Sequence, residues 1–369
     1  MKLRNYFFAG LALCAFAACS NDNEPDGLDN GQAASLSIEI VTPSTKATDN
    51  GTNEESKLSS IRVVLFTEAG QFIAQKDAEV TAGLADKTIY FDRSEGLKAG
   101  TNYQVIVLGN VPAATLPTAQ TLGAYDALVS NLATATTDNN FIMSGKEFSG
   151  ALTGVTQDNP DTTPNKVTVP VARIASKVIL NSLAVNFSAE ALAAGAESYT
   201  VKEVYLINGK KESKIYGGNN VSSVYSVSAA FMQGKSFTEP LFAGHDETAE
   251  EFSGFYQALT GNTIDNSGSS NNLFSSYLLA NESEVNATYL IINGTVNFTQ
   301  ASGTPAKDVF YKVLLKSDDN ASVGQVLRNT VYKIDATISG IKGGQDEADL
   351  LVSISVDPWT VVSLNPDFN

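Results

Sequence analysis

The stretch at residues 34–41 reads Ala-Ser-Leu-Ser-Ile-Glu-Ile-Val. Leu36, Ile38 and Ile40 alternate with Ser37 and Glu39, and this period of two is typical of a β-strand that buries one face. The same period recurs between clusters of Gly, Asn, Asp and Ser, which predict turns. It is found at residues 61–65, 103–107, 167–169, 183–187, 289–292, 309–315 and 332–338. Many short strands joined by polar turns predict a mainly β protein of antiparallel sandwiches.

Three segments depart from this pattern. Between Ala119 and Leu132 apolar residues fall at spacings of three and four, which predicts a short helix that covers a sheet edge or end. Residues 153–166 contain two prolines and no apolar period, as expected of a domain boundary or a long surface loop, and we place the domain junction just after them. Residues 217–272 are rich in Gly, Ser and Asn and are predicted to be loop-rich surface.

The charge and the rare residue types exclude several functions. The 369 residues include 40 acidic and 24 basic side chains, for a net charge of −16, which opposes binding to nucleic acid. The single histidine, His245, cannot build a multi-histidine metal site, and the two cysteines cannot form a four-thiolate zinc site. No serine or cysteine nucleophile motif accompanies His245, which is expected to be a surface residue. We therefore expect no enzyme activity, no metal and no cofactor.

The first residues have the layout of a secretion signal. Lys2 and Arg4 precede an apolar run at residues 6–18 that is too short to span a hydrocarbon core of about 30 Å. The run ends in Ala17-Ala18-Cys19, which resembles a bacterial lipobox, in which the cysteine carries the lipid. The alternative is an ordinary signal peptide with an incidental cysteine. We predict a signal peptide at residues 1–18 and an exported lipoprotein precursor whose acylated Cys19 inserts into outer-membrane lipid.

Four groups of segments follow one another in a specific order. The first runs from Ala34 to Lys46-Ala47, and the second is Leu58-Ser59-Ser60-Ile61-Arg62-Val63-Val64-Leu65-Phe66. The third joins Phe141-Ile142-Met143-Ser144-Gly145 to residues 169–177, and the fourth joins residues 327–334 to Val356-Asp357-Pro358-Trp359. In this order the segments resemble the fimbrillins of Bacteroidales type V pili, which are secreted as lipoproteins and assembled outside the cell.

The resemblance implies a domain organisation and a processing step. It implies two tandem β-sandwich domains of transthyretin-like topology, at residues 47–166 and 167–369, with a short helix in the first. Residues 19–46 would be a propeptide that contains a removable first strand and is cut between Lys46 and Ala47 by a trypsin-like protease. The commonest residue at the cut in this family is arginine, and here it is Lys46. Because the family's anchor proteins retain their first strand, a cleavable site favours a shaft or tip subunit.

The C-terminal residues are the predicted donor of a replacement strand. Loss of the first strand would empty a groove that an extended segment of another subunit can fill by strand addition. Val352, Ile354 and Val356 repeat the period of two, and Pro358, which cannot donate a ladder hydrogen bond, marks a break before a second apolar run. The alternative is that residues 350–362 are simply the last core strand of their own domain. The side chains predicted to leave are Leu36, Ile38 and Ile40. Those predicted for the C-terminal strand and donor are Val352, Ile354, Val356, Trp359, Val361, Leu364 and Phe368.

The sequence therefore predicts a structural subunit of a cell-surface fimbria. The subunit would polymerise by strand exchange with copies of itself and with other pilus subunits, for adhesion or colonisation. The alternative is a tip adhesin or surface lipoprotein that recognises a glycan or a protein through residues 217–272 and does not form the shaft.

Overall fold

The computed structural model describes residues 32–42, 55, 57–80, 86–136, 140–216, 230–316, 323–343 and 349–358. Strands dominate these residues, which confirms the prediction of a mainly β protein. The strands up to Arg173, called the N-terminal half below, are β1 (Leu36–Val41), β2 (Ser60–Thr67), β3 (Phe72–Glu79), β4 (Asp86–Phe91), β5 (Asn102–Gly109), β6 (Val129–Asn131), β7 (Met143–Ala151), β8 (Lys166–Pro170) and β9 (Ala172–Arg173).

The C-terminal half begins at Ala175. Its strands are β10 (Ala175–Val185), β11 (Ala196–Ile207), β12 (Gly209–Lys210), β13 (Glu212–Lys214), β14 (Phe231–Gln233), β15 (Glu250–Glu251), β16 (Tyr256–Asp265), β17 (Ser269–Leu279), β18 (Tyr289–Phe298), β19 (Lys307–Leu314), β20 (Thr330–Ile338) and β21 (Leu350–Pro358). The α-helices of the described residues are α1 (Leu122–Asp126), α2 (Leu132–Ala135) and α3 (Ala189–Ala193). The 3₁₀ helices are Arg93–Glu95, Ala113–Thr115, Ser253–Phe255 and Gln300–Ser302.

Each half contains two main sheets. In the N-terminal half, a three-stranded sheet has the order β4-β1-β8 and a five-stranded sheet has the order β3-β2-β5-β7-β9. In the C-terminal half, the two four-stranded sheets have the orders β17-β10-β20-β21 and β16-β11-β18-β19. Most neighbouring strands are antiparallel, but β1 runs parallel to β8, β10 to β20 and β14 to β15. Of the four main sheets, the two that contain β1 and β10 are therefore mixed. The other two are antiparallel throughout, as the sequence predicted.

The two halves are joined by a buried contact. β6 of the N-terminal half pairs with β13 of the C-terminal half. The residues after β13 continue into the N-terminal half, where the Ile215 carbonyl accepts a hydrogen bond of 2.6 Å from Ser144 Oγ and the Tyr216 hydroxyl accepts one of 2.8 Å from Gln104 Nε2. The apolar side chains of the two halves belong to one continuous core. The sheet pairings place the change between the halves near Ile174, a few residues after the predicted junction.

The helix predicted between Ala119 and Leu132 is two short helices with a strand between them. Thr121 caps α1, because its Oγ1 accepts a hydrogen bond of 3.3 Å from the Ala124 N–H. Asn131 ends β6 and caps α2, with Oδ1 at 2.9 Å from the Thr134 N–H. The residues between the two helices therefore form β6, which pairs with β13. Within the described residues, no helix has the length and apolar character needed to cross a membrane.

The prediction of a loop-rich surface at residues 217–272 holds for residues 234–249, which are turns and loop, but it missed strands in the rest of the part that the structure describes. β16 and the start of β17 lie there and pair with β11 and β10. Most side chains of β16 are exposed, and only Ile264 is buried. A strand with so few buried side chains carries no apolar period that a sequence pattern could reveal.

Candidate strand-exchange site

β1 is the central strand of its sheet. Leu36 to Val41 pair antiparallel with β4, from Leu36 opposite Phe91 to Val41 opposite Asp86. On the other side, Ser37 to Val41 pair parallel with β8. Because strands adjoin both edges of β1, its removal would leave two rows of unpaired backbone groups facing a gap one strand wide. We call the space that β1 fills between β4 and β8 the β1 slot.

The side chains of β1 close the core of the N-terminal half. Leu36, Ile38 and Ile40 are all 0 % exposed, as the alternation at residues 34–41 predicts. Glu39 points the other way into solvent, where its Oε2 accepts a hydrogen bond of 3.1 Å from Thr168 Oγ1 on β8. Loss of β1 would therefore expose an apolar stripe as well as backbone.

Asn165 fastens the beginning of β1. Its Nδ2 donates to the carbonyls of Ser35 and Thr153, both at 2.8 Å, and its Oδ1 accepts from the Thr153 N–H at 2.8 Å. The Asn165 carbonyl accepts from the Ser37 N–H at 3.0 Å. One buried side chain thus links the first strand to both ends of the loop at residues 153–165. The sequence predicted a boundary or a long surface loop here, and no local pattern marks Asn165.

An ion pair fastens the same loop to the end of β4. Arg93 Nε lies 3.1 Å from Asp158 Oδ2, and the Arg93 N–H donates to Asp158 Oδ1 at 2.9 Å. The backbone hydrogen bond from Arg93 is the main cause that lowers the pKa of Asp158 below its usual value, with the guanidinium adding to it. Both side chains are more than a third exposed, so solvent screens the pair.

β21 has a different position from β1. In the part of the chain that the structure describes, it pairs with β20 alone and lies at the edge of its sheet. Leu350 and Ile354 are buried, Val352 and Val356 are half-buried, and Leu351 is 63 % exposed. Residues 350–358 therefore form a strand of their own half.

Asp349 fixes the point where β21 begins. Its carbonyl accepts hydrogen bonds from the Ser339 N–H at 2.9 Å and the Gly340 N–H at 3.2 Å. Its Oδ2 accepts from the Gly343 N–H at 3.0 Å and also from the Lys342 N–H. A side chain at position 340 would overlap the Asp349 carboxylate, so the glycine allows this close approach.

Several residues of the predicted site lie outside the described residues. These are Cys19, Lys46, Ala47, Trp359, Val361, Leu364 and Phe368. The predicted roles of these residues in lipidation, cleavage and strand donation stay predictions. The structure does bring Leu36, Ile38 and Ile40 together in the core of the first half, and it places Val352, Ile354 and Val356 on β21 of the second.

A buried charge cluster joins the residues before β2 to the C-terminal half. Glu55 Oε1 lies 2.9 Å from Lys177 Nζ and accepts a hydrogen bond of 2.5 Å from the Tyr277 hydroxyl. The Glu55 carbonyl accepts a hydrogen bond of 2.7 Å from Nε of Arg173, which is fully buried. Burial lowers the pKa of Arg173 to about 10, while the negative charge of Glu55 opposes this shift. No local pattern marks Glu55, because Arg173 and Lys177 are 118 and 122 residues away in sequence.

His245 is buried, which corrects the expectation of a surface histidine. Its Nδ1 accepts a hydrogen bond of 3.0 Å from the Leu241 N–H, and its Nε2 lies 3.0 Å from Gln233 Oε1. Phe237 packs edge-on against the ring. Burial is the main cause that lowers the pKa of His245, so the neutral ring serves as a packing and hydrogen-bonding element of the loop.

Comparison with known proteins finds similarity to fimbrial subunits. The model of the family "Major fimbrial subunit protein (FimA)" matches residues 34–182, from just before β1 into β10. The chain is 25 % identical to the major fimbrium subunit FimA type-4 of Porphyromonas gingivalis, over 98 % of this chain and 99 % of that protein. It is 29 % identical to the "Putative fimbrium tip subunit Fim1C" of Parabacteroides distasonis, over 37 % of each chain.

A solved structure shows the same fold. The fimbrilin of Porphyromonas gingivalis W83 superposes with a TM-score of 0.66, at 19 % identity, and the match covers 90 % of this chain and 99 % of that one. The resemblance stated from the order of four groups of segments is confirmed by these comparisons.

Proposed function

We propose that this chain, which is similar to fimbrial subunits, is exported as a lipoprotein, trimmed after Lys46 and built into a cell-surface fimbria by exchange of β-strands between subunits. The observation that carries the proposal is the central position of β1. Full-length similarity to major fimbrium subunits supports a place in the fibre, with copies of itself and other fimbrial subunits as partners.

Cleavage after Lys46 would separate β1 from the rest of the chain. The separated strand can then leave, which opens the β1 slot and exposes the groove lined by the former neighbours of Leu36, Ile38 and Ile40. An open slot is unfavourable in water, since it leaves backbone groups unpaired and apolar surface exposed. An extended segment of a neighbouring subunit restores both kinds of contact.

The residues after β21 are the proposed donor. Because β21 already belongs to its own sheet, the donor strand consists of the residues beyond it, including Trp359, Val361, Leu364 and Phe368. A donated strand that repeats the contacts of β1 would bury three large apolar side chains, worth about 1.5–3 kcal/mol each, and form backbone hydrogen bonds worth a net ~1 kcal/mol each. The sum is on the order of 10 kcal/mol before ordering costs, which would make the joint dissociate slowly.

Two steps before assembly belong to the same proposal. Acylation of Cys19 would hold the precursor in the outer membrane through its lipid, and a trypsin-like protease would cut between Lys46 and Ala47. The cut would release the body from its lipid anchor at the moment when the slot becomes available.

The processing step is tested with Lys46→Ala, and Lys57→Ala is the matched control. We expect Lys46→Ala cells to retain a lipidated monomer and to lack fibres, while Lys57→Ala cells assemble normally. The readouts are the mass of the mature N-terminus and the heat-sensitive ladder of oligomers on a denaturing gel. Normal fibres from the Lys46→Ala chain would refute the proposal that this cut is needed to open the β1 slot for assembly.

A tip subunit is the second candidate, and the local similarity to a fimbrium tip subunit favours it. A tip can receive a strand without giving one, whereas a shaft subunit needs both. Deletion of residues 359–369 distinguishes the two, because it should stop elongation of a shaft and leave the function of a tip intact. Ligand binding by a tip would use less loop surface than predicted, because β16 and the start of β17 lie within residues 217–272.

A further inference from the structure

The stretch between the proposed cut and β2 contains a second basic residue. Lys57 is exposed, and the bond after it joins Lys57 to Leu58. A trypsin-like protease that recognises Lys46 would also recognise the side chain of Lys57. Cleavage there would remove the residues that lead into β2, so assembly depends on which of the two lysines the protease can use.

Leu58, on the far side of this bond, is held in the core. It is 0 % exposed and lies directly over Gly109, where an added Cβ would come within 2.4 Å of Leu58 Cδ2. A protease binds an extended segment on both sides of the bond it cuts, so Leu58 would have to leave this position first. Cleavage of a folded chain therefore follows the population of the locally opened state.

Asn110 holds the backbone on both sides of the same bond. Its Nδ2 donates to the Lys57 carbonyl at 2.7 Å, and its Oδ1 accepts from the Ser59 and Ser60 N–H groups at 2.8 and 3.3 Å. Asn110 has a φ of 58°, a left-handed conformation that asparagine tolerates better than most residues. The side chain thus reaches three backbone groups of one short segment.

Glu55 holds the segment from the other end. Its side chain is 1 % exposed and contacts Lys177 and Tyr277, while its carbonyl accepts from Arg173. Opening the segment would separate this carboxylate from Lys177 and leave buried positive charge without its partner, which is costly in a core. Two independent fastenings, at Glu55 and at Asn110, therefore flank the bond after Lys57.

We propose that Glu55 and Asn110 set the limit of proteolytic processing by keeping the Lys57–Leu58 bond closed to a trypsin-like protease. The inference rests on the proposed function for its biological meaning, since it explains how trimming stops before β2. The protection of the Lys57–Leu58 bond itself does not depend on any cut after Lys46. The partner that would bind at the Lys57–Leu58 bond is the protease itself. The bond is protected because the contacts of Glu55 and Asn110 must break before the protease can bind.

The test uses trypsin on the purified native Lys46→Ala chain and on the same chain carrying Glu55→Gln or Asn110→Gly. Glycine accepts the left-handed backbone at position 110, so this second variant removes the side-chain hydrogen bonds without adding backbone strain. Glu250→Gln is the matched control, because Glu250 forms an exposed ion pair with Lys211. Mass spectrometry over time gives the rate at which chains beginning at Leu58 appear.

We expect both variants to release chains beginning at Leu58 about 10- to 100-fold faster than their parent. Glu55→Gln loses a hydrogen bond to a charged group, and Asn110→Gly loses several neutral hydrogen bonds to the backbone at once. The Glu250→Gln control should match the parent. If Glu55→Gln fails to fold, as judged by circular dichroism, Asn110→Gly carries the test. Two results would overturn the proposal: folded Glu55→Gln and Asn110→Gly variants that are cut after Lys57 no faster than their parent, or a Glu250→Gln control that is cut as fast as these variants.

The same digestion of the chain with Lys46 intact separates this inference from the proposed function. Appearance of chains beginning at Ala47 tests the processing site, and appearance of chains beginning at Leu58 tests the limit. A chain that is never cut after Lys46 would count against the processing step and leave the result at Lys57 unaffected.

Discussion

β1 and β21, the first and last strands of the described chain, differ in how many neighbours they have. β1 lies between β4 and β8, whereas β21 pairs with β20 alone in the described residues. The first strand of the C-terminal half, β10, is also central, with antiparallel β17 on one side and parallel β20 on the other. The two halves thus share one arrangement around their first strands, and the C-terminal half adds β21 outside it.

This difference assigns different roles to the two ends. Loss of a central strand opens a gap with two edges, which a single incoming strand fills completely. Loss of an edge strand merely moves the edge inward by one strand. The central position of β1 therefore supports the proposal that the N-terminal half receives a strand, and the edge position of β21 supports the proposal that the donor comes from outside this strand.

A charge in β1 should have the largest effect. Ile38→Asp places a carboxylate at a fully buried position of the central strand, and we expect it to destabilise the precursor by about 4–5 kcal/mol or more. Leu351→Asp, on the exposed face of β21, should change stability by about 0.5 kcal/mol or less. Urea unfolding of both variants measures the difference. Equal losses would contradict the assigned positions of the two strands.

Truncation of matched isoleucines should give a smaller contrast. Ile38 and Ile354 are 0 % and 4 % exposed, and isoleucine-to-alanine changes in cores cost about 2–5 kcal/mol. We expect about 4 kcal/mol for Ile38→Ala and about 2 kcal/mol for Ile354→Ala, because an edge strand relaxes more easily around a cavity. The comparison requires the untrimmed precursor in both cases. A larger loss for Ile354→Ala would reverse the contrast.

The fastening at the start of β1 should contribute less than its core side chains. Asn165→Ala removes the hydrogen bonds to Ser35 and Thr153, for an expected loss of about 2–3 kcal/mol. Thr162→Ala, at an exposed position of the same loop, should cost about 0.5 kcal/mol or less. Faster hydrogen exchange in β1 of the Asn165→Ala precursor should accompany the loss. Unchanged exchange in β1 would show that the loop does not hold the strand.

The smallest expected effect depends on pH. The folded state lowers the pKa of Asp158, so the Arg93 pair stabilises the precursor above the unfolded pKa of about 3.9 and this contribution is lost as the pH falls through the lower folded pKa. Below about pH 4 the thermal midpoint of the native chain should therefore approach that of Asp158→Asn. Midpoints measured between pH 6 and 3 test this. A difference between the two thermal midpoints that grows as the pH falls would contradict this prediction.

The sequence predicted the strands that bury one face, because burial on one side imposes a period of two. Leu36 to Ile40 and Tyr332 to Ile338 are such strands, and the structure confirms them. β16 was missed because both of its faces are largely exposed. The helix predicted from Ala119 to Leu132 was too long, since its apolar spacing continues through β6, whose backbone pairs with β13.

The candidate site was predictable only in part for a related reason. The apolar face of β1 is local and can be read from residues 34–41. Its central position depends on β4 and β8, which lie far along the chain, and no local pattern gives that pairing. Asn165 and Glu55 act through partners more than a hundred residues away, so their roles emerge only when the fold brings those partners together.

The two neighbours of β1 run in opposite directions, and this has a consequence for growth of a fibre. A strand that replaces β1 in the same direction finds a parallel hydrogen-bond pattern on one side and an antiparallel pattern on the other. A reversed strand would be parallel to β4 and antiparallel to β8, so it would not repeat the hydrogen bonds that β1 makes. In the proposed fibre, each subunit receives a strand in its N-terminal half and gives one from the residues after β21, so subunits would join head to tail through two different surfaces. Such a filament has chemically distinct ends, one offering an open slot and the other an unused tail.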